Sequence, residues 1–331
     1  MSCYSPNQGY KSRFKTKSGK YPLTFDRDKA SVIKPEFLTV PCGKCVGCCL
    51  ARGKDWSLRS VHEAKYHDQS SFLTLTYNTK GLPSVVSDDG DVLGSGTLRP
   101  RDVTLFIKRL RKSMEGTSVR IKYYAAGEYG GGRTKRPHYH LLVFGWMPDD
   151  LVFHKYGSNG DPIYTSATLA SFWYDEDTRE NLGFSSVSHL NARSAGYVAQ
   201  YSLKKVTDRN NPERYVRFNP LAGEFNVYPE FSRCSQGIGL EWYKANFLSD
   251  AFVKGFVTHN GVKYRIPRYY LKRFEIEYPA EFAFFQLLKK DSVRLLYSSK
   301  RPIDYLADRE RLLEVHSKLK REVNFDEYDI G

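Results

Sequence analysis

The chain has 331 residues, 40% hydrophobic and 27% charged, enough for one large domain or two modest ones around a real core. Its 51 Lys and Arg against 37 Asp and Glu leave a formal charge of +14, which favours a polyanionic partner: nucleic acid first, an anionic membrane surface second. Apolar runs such as Leu141 to Met147 are too short to span a bilayer, and the basic stretch from Met1 to Lys20 lacks the apolar core of a secretory signal.

In chain order, residues 1–41 read as an irregular basic arm. Cys42 to Cys49 follows as Cys-Gly-Lys-Cys-Val-Gly-Cys-Cys. Six cysteines are too few for a disulfide scaffold, and this crowding suits metal binding or reduced thiols. Cys42, Cys45 and Cys48 share C-x-x-C spacing. With Cys3 as a fourth thiolate they would form a closed structural Zn²⁺ site tying the arm to the body. The alternative is that they are small buried residues opening a helix. That helix carries Leu50, Trp56, Leu58 and Val61 and ends near Tyr66.

Phe72 to Tyr77 (FLTLTY) alternates and is rich in β-formers, so it reads as a strand. A long loop over 79–100 leads to a helix capped by Asp102, whose Val103, Phe106, Ile107, Leu110 and Met114 make one apolar stripe. Its basic face is solvated or binds DNA. Ile121 to Ala126 runs as a strand into Gly127-Glu128-Tyr129. The loop Gly130 to Arg136 is rich in glycine and basic residues, and His138 to Phe144 returns as a second strand, giving an antiparallel hairpin. Helices are expected near 167–174, 192–205, 280–297 and 302–321. This mixture without βαβ alternation predicts an α+β domain with a central antiparallel sheet flanked by helices. It divides into a Cys-rich arm and helix (1–69), a catalytic domain (70–210) and a C-terminal helical extension (211–331) that binds DNA or packs onto that domain.

Residues i and i+2 of a strand share a face, so His138 and His140 project together while Tyr139 faces the other way. Glu128 ends the partner strand, where cross-strand pairing brings its carboxylate toward the two imidazoles. Two His and one Glu with open positions suit Mg²⁺ or Mn²⁺ polarising a phosphate oxygen. The alternative for Glu128 is an ion pair with Arg133, Lys135 or Arg136, which otherwise form a DNA-binding hairpin tip. In the 192–205 helix, capped by Asn191 or Ser194, Tyr197 and Tyr201 lie one turn apart, with Lys204 and Lys205 on nearly the same side. The pair either attacks phosphate, aided by the lysines and a metal, or packs on the sheet.

The order of FLTLTY strand, His138-Tyr139-His140 and Tyr197 to Lys205 resembles the HUH endonucleases, the initiators of rolling-circle replication. A closer resemblance is to the replication initiators of gokushovirus-type microvirus phages. It is carried by Cys42 to Cys48, Gly127 to Gly130, Pro137 to His140, Tyr197 to Lys205, Phe231-Ser232-Arg233, Gly237-Ile238-Gly239 and Pro267-Arg268-Tyr269-Tyr270. Tyr139 is bulkier than the small aliphatic found there in many relatives. The resemblance implies a two-tyrosine DNA endonuclease and strand transferase acting on viral origin DNA and single-stranded DNA. Tyr197 or Tyr201 would form a 5′-phosphotyrosine link and free a 3′-OH for a host DNA polymerase. The other tyrosine would cleave the regenerated origin, and rejoining would release a circle. No Walker motif is present, so unwinding would fall to a host helicase in the bacterial cytoplasm. Two alternatives stand beside this. One is a two-tyrosine transposase with the same site. The other is a non-catalytic single-stranded nucleic-acid-binding module, which the 24 tyrosines would suit but which leaves the His pair unexplained.

Overall fold

The computed structural model describes residues 3–16, 21–31, 38–130, 135–158, 160–199, 212–252 and 254–296. Seven strands form one antiparallel sheet: β1 (Ser70–Thr76), β2 (Lys122–Tyr129), β3 (Pro137–Phe144), β4 (Val152–Tyr156), β5 (Pro162–Thr165), β6 (Ser185–His189) and β7 (Phe231–Cys234). Their spatial order is β7-β2-β3-β1-β6-β5-β4. The α+β class with a large antiparallel sheet is therefore as the sequence predicts.

Alternation assigns the two faces of the sheet. On one face Leu73, Leu75, Ala125, Tyr139, Leu141 and Val143 bury against Val103, Phe106, Ile107 and Leu110 of α2 (Pro100–Ser113). Each fully buried side chain of this kind contributes roughly 1.5–3 kcal/mol. On the other face Phe72, Tyr124, Ala126, Leu142 and Phe144 meet α1 (Val46–Ala64) and α3 (192–199), through Trp56, Val61, Ala195 and Val198. Asn191 and Ser194 cap α3 reciprocally: Ser194 N donates to Asn191 Oδ1 at 2.8 Å, and Asn191 N to Ser194 Oγ at 2.9 Å. A second core forms where Leu58 of α1 meets Trp242, Tyr243, Tyr270, Phe274 and Phe285. These belong to α4 (Leu240–Asn246), α5 (Arg268–Glu277) and α6 (Pro279–Leu296).

Several elements differ from the sequence reading. Asp102 does not cap α2. Arg99 takes that place, Pro100 opens the helix with its preset φ, and the Asp102 carboxylate accepts the Tyr77 hydroxyl at 2.6 Å and Arg99 Nε at 2.9 Å. The arm is not wholly irregular, since Asn7–Lys11 pairs with both Leu23–Thr24 and Leu38–Val40. The 79–100 loop contains a hairpin of Ser84–Val86 and Val92–Ser95. Strand β7 comes from beyond residue 210 and pairs with β2, so the sheet crosses the boundary drawn there from sequence. The helix expected near 302–321 lies outside the described residues.

Candidate active site

The site lies on the α1/α3 face of β1, β2 and β3. Register puts Glu128 opposite His138, Ala126 opposite His140, Thr74 opposite His140 and Thr76 opposite His138. Glu128 and His140 are 2% and 1% exposed. Glu128 Oε1 lies 2.8 Å from His138 Nε2 and 3.1 Å from His140 Nε2. One donor atom from each of the three residues falls within 4.8 Å of the others.

The outer imidazole nitrogens are occupied. His138 Nδ1 donates to the Arg136 carbonyl at 3.2 Å, and His140 Nδ1 lies 3.1 Å from Thr74 Oγ1. Such outer bonds fix ring orientation and leave Nε2 as the ligating atom. Phe72 stacks on the His140 ring at 5.5 Å. Two imidazoles and a carboxylate, each aimed by its own support, fit a divalent cation with open positions. Sequence reasoning missed Thr74 and Phe72, although both occupy the site-facing positions of the FLTLTY alternation.

Tyr197 of α3 brings its hydroxyl to 3.5 Å from His140 Nε2, with the two rings edge to face at 5.0 Å. The phenol thus borders the donor set and is not packed away from it. Tyr201, Lys204 and Lys205 lie outside the described residues, as does Arg133. Lys135 is exposed. Arg136 is half-buried, and its guanidinium donates to the Tyr77 carbonyl at 2.7 Å and to Thr79 Oγ1 at 3.3 Å. It braces the hairpin against β1 where the sequence suggested a DNA contact. Neither basic residue described at the tip takes Glu128 as its partner in place of the imidazoles.

The four cysteines also converge. Cys3 Sγ lies 3.6 Å from Cys42 Sγ and 3.8 Å from Cys45 Sγ, and all four sulfurs fall within 4.8 Å of one another. Burial pushes the Cys48 thiol up. Burial also acts on Cys42, but the N–H groups of Cys45 and Lys44 outweigh it and bring that thiol down to about 7.

The family model of the replication-associated protein ORF2 matches residues 70–206, the span that holds β1 to β6, the His-Glu cluster and Tyr197. The replication-associated protein ORF2 of Spiroplasma virus 4 is 31% identical over 95% of each chain. The replication-associated protein VP4 of Bdellovibrio phage phiMH2K is 31% identical over 81% of this chain and 78% of its own. The replication-associated protein ORF4 of Chlamydia phage 1 is 29% identical over 91% and 66%. No solved structure matches the chain significantly. Among the described residues, no helix is long and apolar enough to cross a membrane.

Proposed function

The chain belongs to the replication-associated proteins of microviruses, and from that membership we propose that it is an HUH-type endonuclease that starts rolling-circle replication by nicking one strand at the viral origin. The observation that carries this reading is the Tyr197 phenol beside the convergent Nε2 atoms of His138 and His140 and the Glu128 carboxylate. A replication protein that only bound DNA would need neither a buried His-Glu donor set nor a phenol beside it.

In this reading His138, His140 and Glu128 hold Mg²⁺ or Mn²⁺, which when bound polarises a non-bridging oxygen of the scissile phosphate. The Tyr197 phenol loses its proton and attacks phosphorus. The bond from phosphorus to the 3′ oxygen breaks, the 3′ oxygen takes up a proton, and the 5′ phosphate stays on the tyrosine. A phenol ordinarily ionises only near pH 10, so nearby positive charge is needed at neutral pH, and Lys204 and Lys205 supply it in this scheme. Tyr201, four residues on, acts as the second nucleophile after one round of synthesis. The freed 3′-OH then attacks the first phosphotyrosine and closes a circle. Each step exchanges one phosphate ester for another, so joining needs no nucleotide. Host polymerase and helicase extend and unwind in the bacterial cytoplasm.

The test uses 3′-labelled single-stranded oligonucleotides tiled across the viral origin, with Mn²⁺ and denaturing gels. A covalent protein–DNA adduct should form with the wild type. It should vanish with excess EDTA and in the Tyr197→Phe/Tyr201→Phe double variant, while each single variant keeps some cleavage. Absence of any adduct across the origin would overturn the assignment.

A further inference from the structure

The structure assigns a second metal site far from the chemistry: we infer that Cys3, Cys42, Cys45 and Cys48 bind one structural zinc ion, and that this ion fastens the basic arm to the start of α1. The geometry fits the ion closely. Zinc–thiolate bonds of about 2.3 Å in a tetrahedron set sulfurs about 3.8 Å apart. The sulfur of Cys3 stands 3.6 Å from that of Cys42 and 3.8 Å from that of Cys45. All four fall inside a 4.8 Å cluster, so no donor is left out and no coordination position stays open.

The backbone is arranged for thiolates. Lys44 N and Cys45 N both donate to Cys42 Sγ, at 3.4 and 3.3 Å, because Gly43 takes φ +75° and turns the chain back on the sulfur. A side chain is strained at that φ, which explains glycine between Cys42 and Lys44. Cys42 N donates to Cys3 Sγ at 3.2 Å, and Tyr4 N to Cys45 Sγ at 3.4 Å. Four N–H groups on three sulfurs offset negative charge, whereas neutral thiols would gain little from them. The neighbouring Cys49 is not a ligand, since it is buried and its thiol donates to the Lys44 carbonyl at 3.5 Å.

Folding brings the distant ligand in. Asn7 pairs with Val40, so the antiparallel strands run Cys3 alongside the Cys42–Cys45 turn. Cys45 is the N-cap of α1 and Cys48 lies in its first turn. A closed set of four soft donors selects zinc over Mg²⁺ or Mn²⁺, the reverse of the His-Glu cluster. Residues 1–45 carry nine Lys and Arg against three Asp and Glu, so the ion anchors a strongly cationic segment. It does so at the helix whose Trp56 stacks on Tyr124 of β2, at 4.8 Å between ring centroids. This inference stands whether or not the chain nicks DNA.

The test is metal analysis of the full, tag-free chain after dialysis against EDTA. About one zinc per chain should remain, and protein produced in Co²⁺ medium should show the sulfur-to-cobalt charge-transfer band of a tetrahedral thiolate site. Cys49→Ser should keep the ion and Cys45→Ser should lose it. If Cys45→Ser does not fold, the wild-type zinc content and cobalt spectrum still decide. Releasing the ion with a mercurial should speed proteolysis of the arm relative to the sheet. Folded protein without zinc, or a Cys3–Cys42 disulfide found by peptide mapping, would overturn the site. Unchanged proteolysis after release would overturn its fastening role.

Discussion

Strand β2 and its neighbours hold two buried glutamates with opposite characters. Glu63 of α1 and Glu128 of β2 are each 2% exposed, and each meets an imidazole Nε2 at 2.8 Å. Glu63 receives His67, the Lys122 ammonium at 2.7 Å and Gly239 N at 2.6 Å. A full positive charge and a backbone amide satisfy it, and the result is a brace joining α1, the sheet and the start of α4. Glu128 turns one oxygen to two imidazoles whose outer nitrogens are already committed. Lys122 and Glu128 share a strand and a face, six residues or roughly 20 Å apart. The difference shows that burial of a carboxylate does not mark a site. What its partners can still accept does.

The largest effect expected from this contrast is on chemistry. The double change His138→Ala/His140→Ala should cut nicking at least about a thousandfold, because a metal's polarisation is worth several kcal/mol and each 1.36 kcal/mol is tenfold. Single-stranded DNA affinity should stay within a few fold, since phosphate contacts dominate binding. Nicking assays and fluorescence anisotropy on the same preparation check both halves. Normal nicking by the double variant would place the metal elsewhere.

The brace should respond in stability instead. Lys122→Met leaves Glu63 buried without its cation and should cost about 3 kcal/mol, with nicking per folded molecule unchanged. The pH dependence has a definite sign. Burial alone would raise the Glu63 pKa, but His67, Lys122 and the Gly239 N–H outweigh it and hold it below the ordinary carboxylate range. Its stabilisation is therefore complete above the unfolded value near pH 4.3 and is lost as pH falls through the lower folded value. The penalty of Lys122→Met should be greatest at neutral pH and shrink in acid, where Glu63 takes up a proton. Denaturant melts from pH 7 to 3 with a constant difference would contradict this.

The two glutamates also mark what a sequence can disclose. Alternation alone put His138 and His140 on one face, Tyr139 on the other and Glu128 within cross-strand reach, and the register bears each out. The Glu63 brace was invisible, because Lys122 is fixed by the sheet and Gly239 lies 176 residues away. Strand β7 was missed for a similar reason. It has four residues, Phe-Ser-Arg-Cys, too few for a pattern, and becomes a strand by pairing with β2. Cys3 stands 39 residues from Cys42, and only a count of cysteines suggested it.

A smaller effect is expected at the support of the His pair. Thr74→Val removes the hydroxyl facing His140 Nδ1 but keeps a β-branched strand residue of similar shape. Metal affinity or nicking should fall about 10–100-fold, the usual consequence of losing such a partner. Raising Mn²⁺ should recover part of the rate, and Thr74→Ser should behave nearly as the wild type. Equal losses in the Val and Ser variants would mean that Thr74 serves only to pack.

The smallest effect separates two adjacent basic residues at the end of the hairpin. Lys135 is exposed, whereas Arg136 spends its guanidinium on the Tyr77 carbonyl and Thr79 and offers its own carbonyl to His138 Nδ1. An exposed lysine contacting phosphate adds about 0.7–1 to the slope of log affinity against log salt and little else. Lys135→Ala should weaken single-stranded DNA binding a few fold at low salt and reduce that slope by this amount. Nicking at saturating DNA should not change, because the residue touches no part of the donor set. Arg136→Ala should do the reverse. The slope should barely move, and nicking should slow because the strand that aims His138 is no longer tied to β1. A salt titration with both variants distinguishes the cases. If Arg136→Ala lowers the slope as much as Lys135→Ala, then Arg136 leaves Tyr77 when DNA arrives, and the tip is a phosphate clamp on both sides.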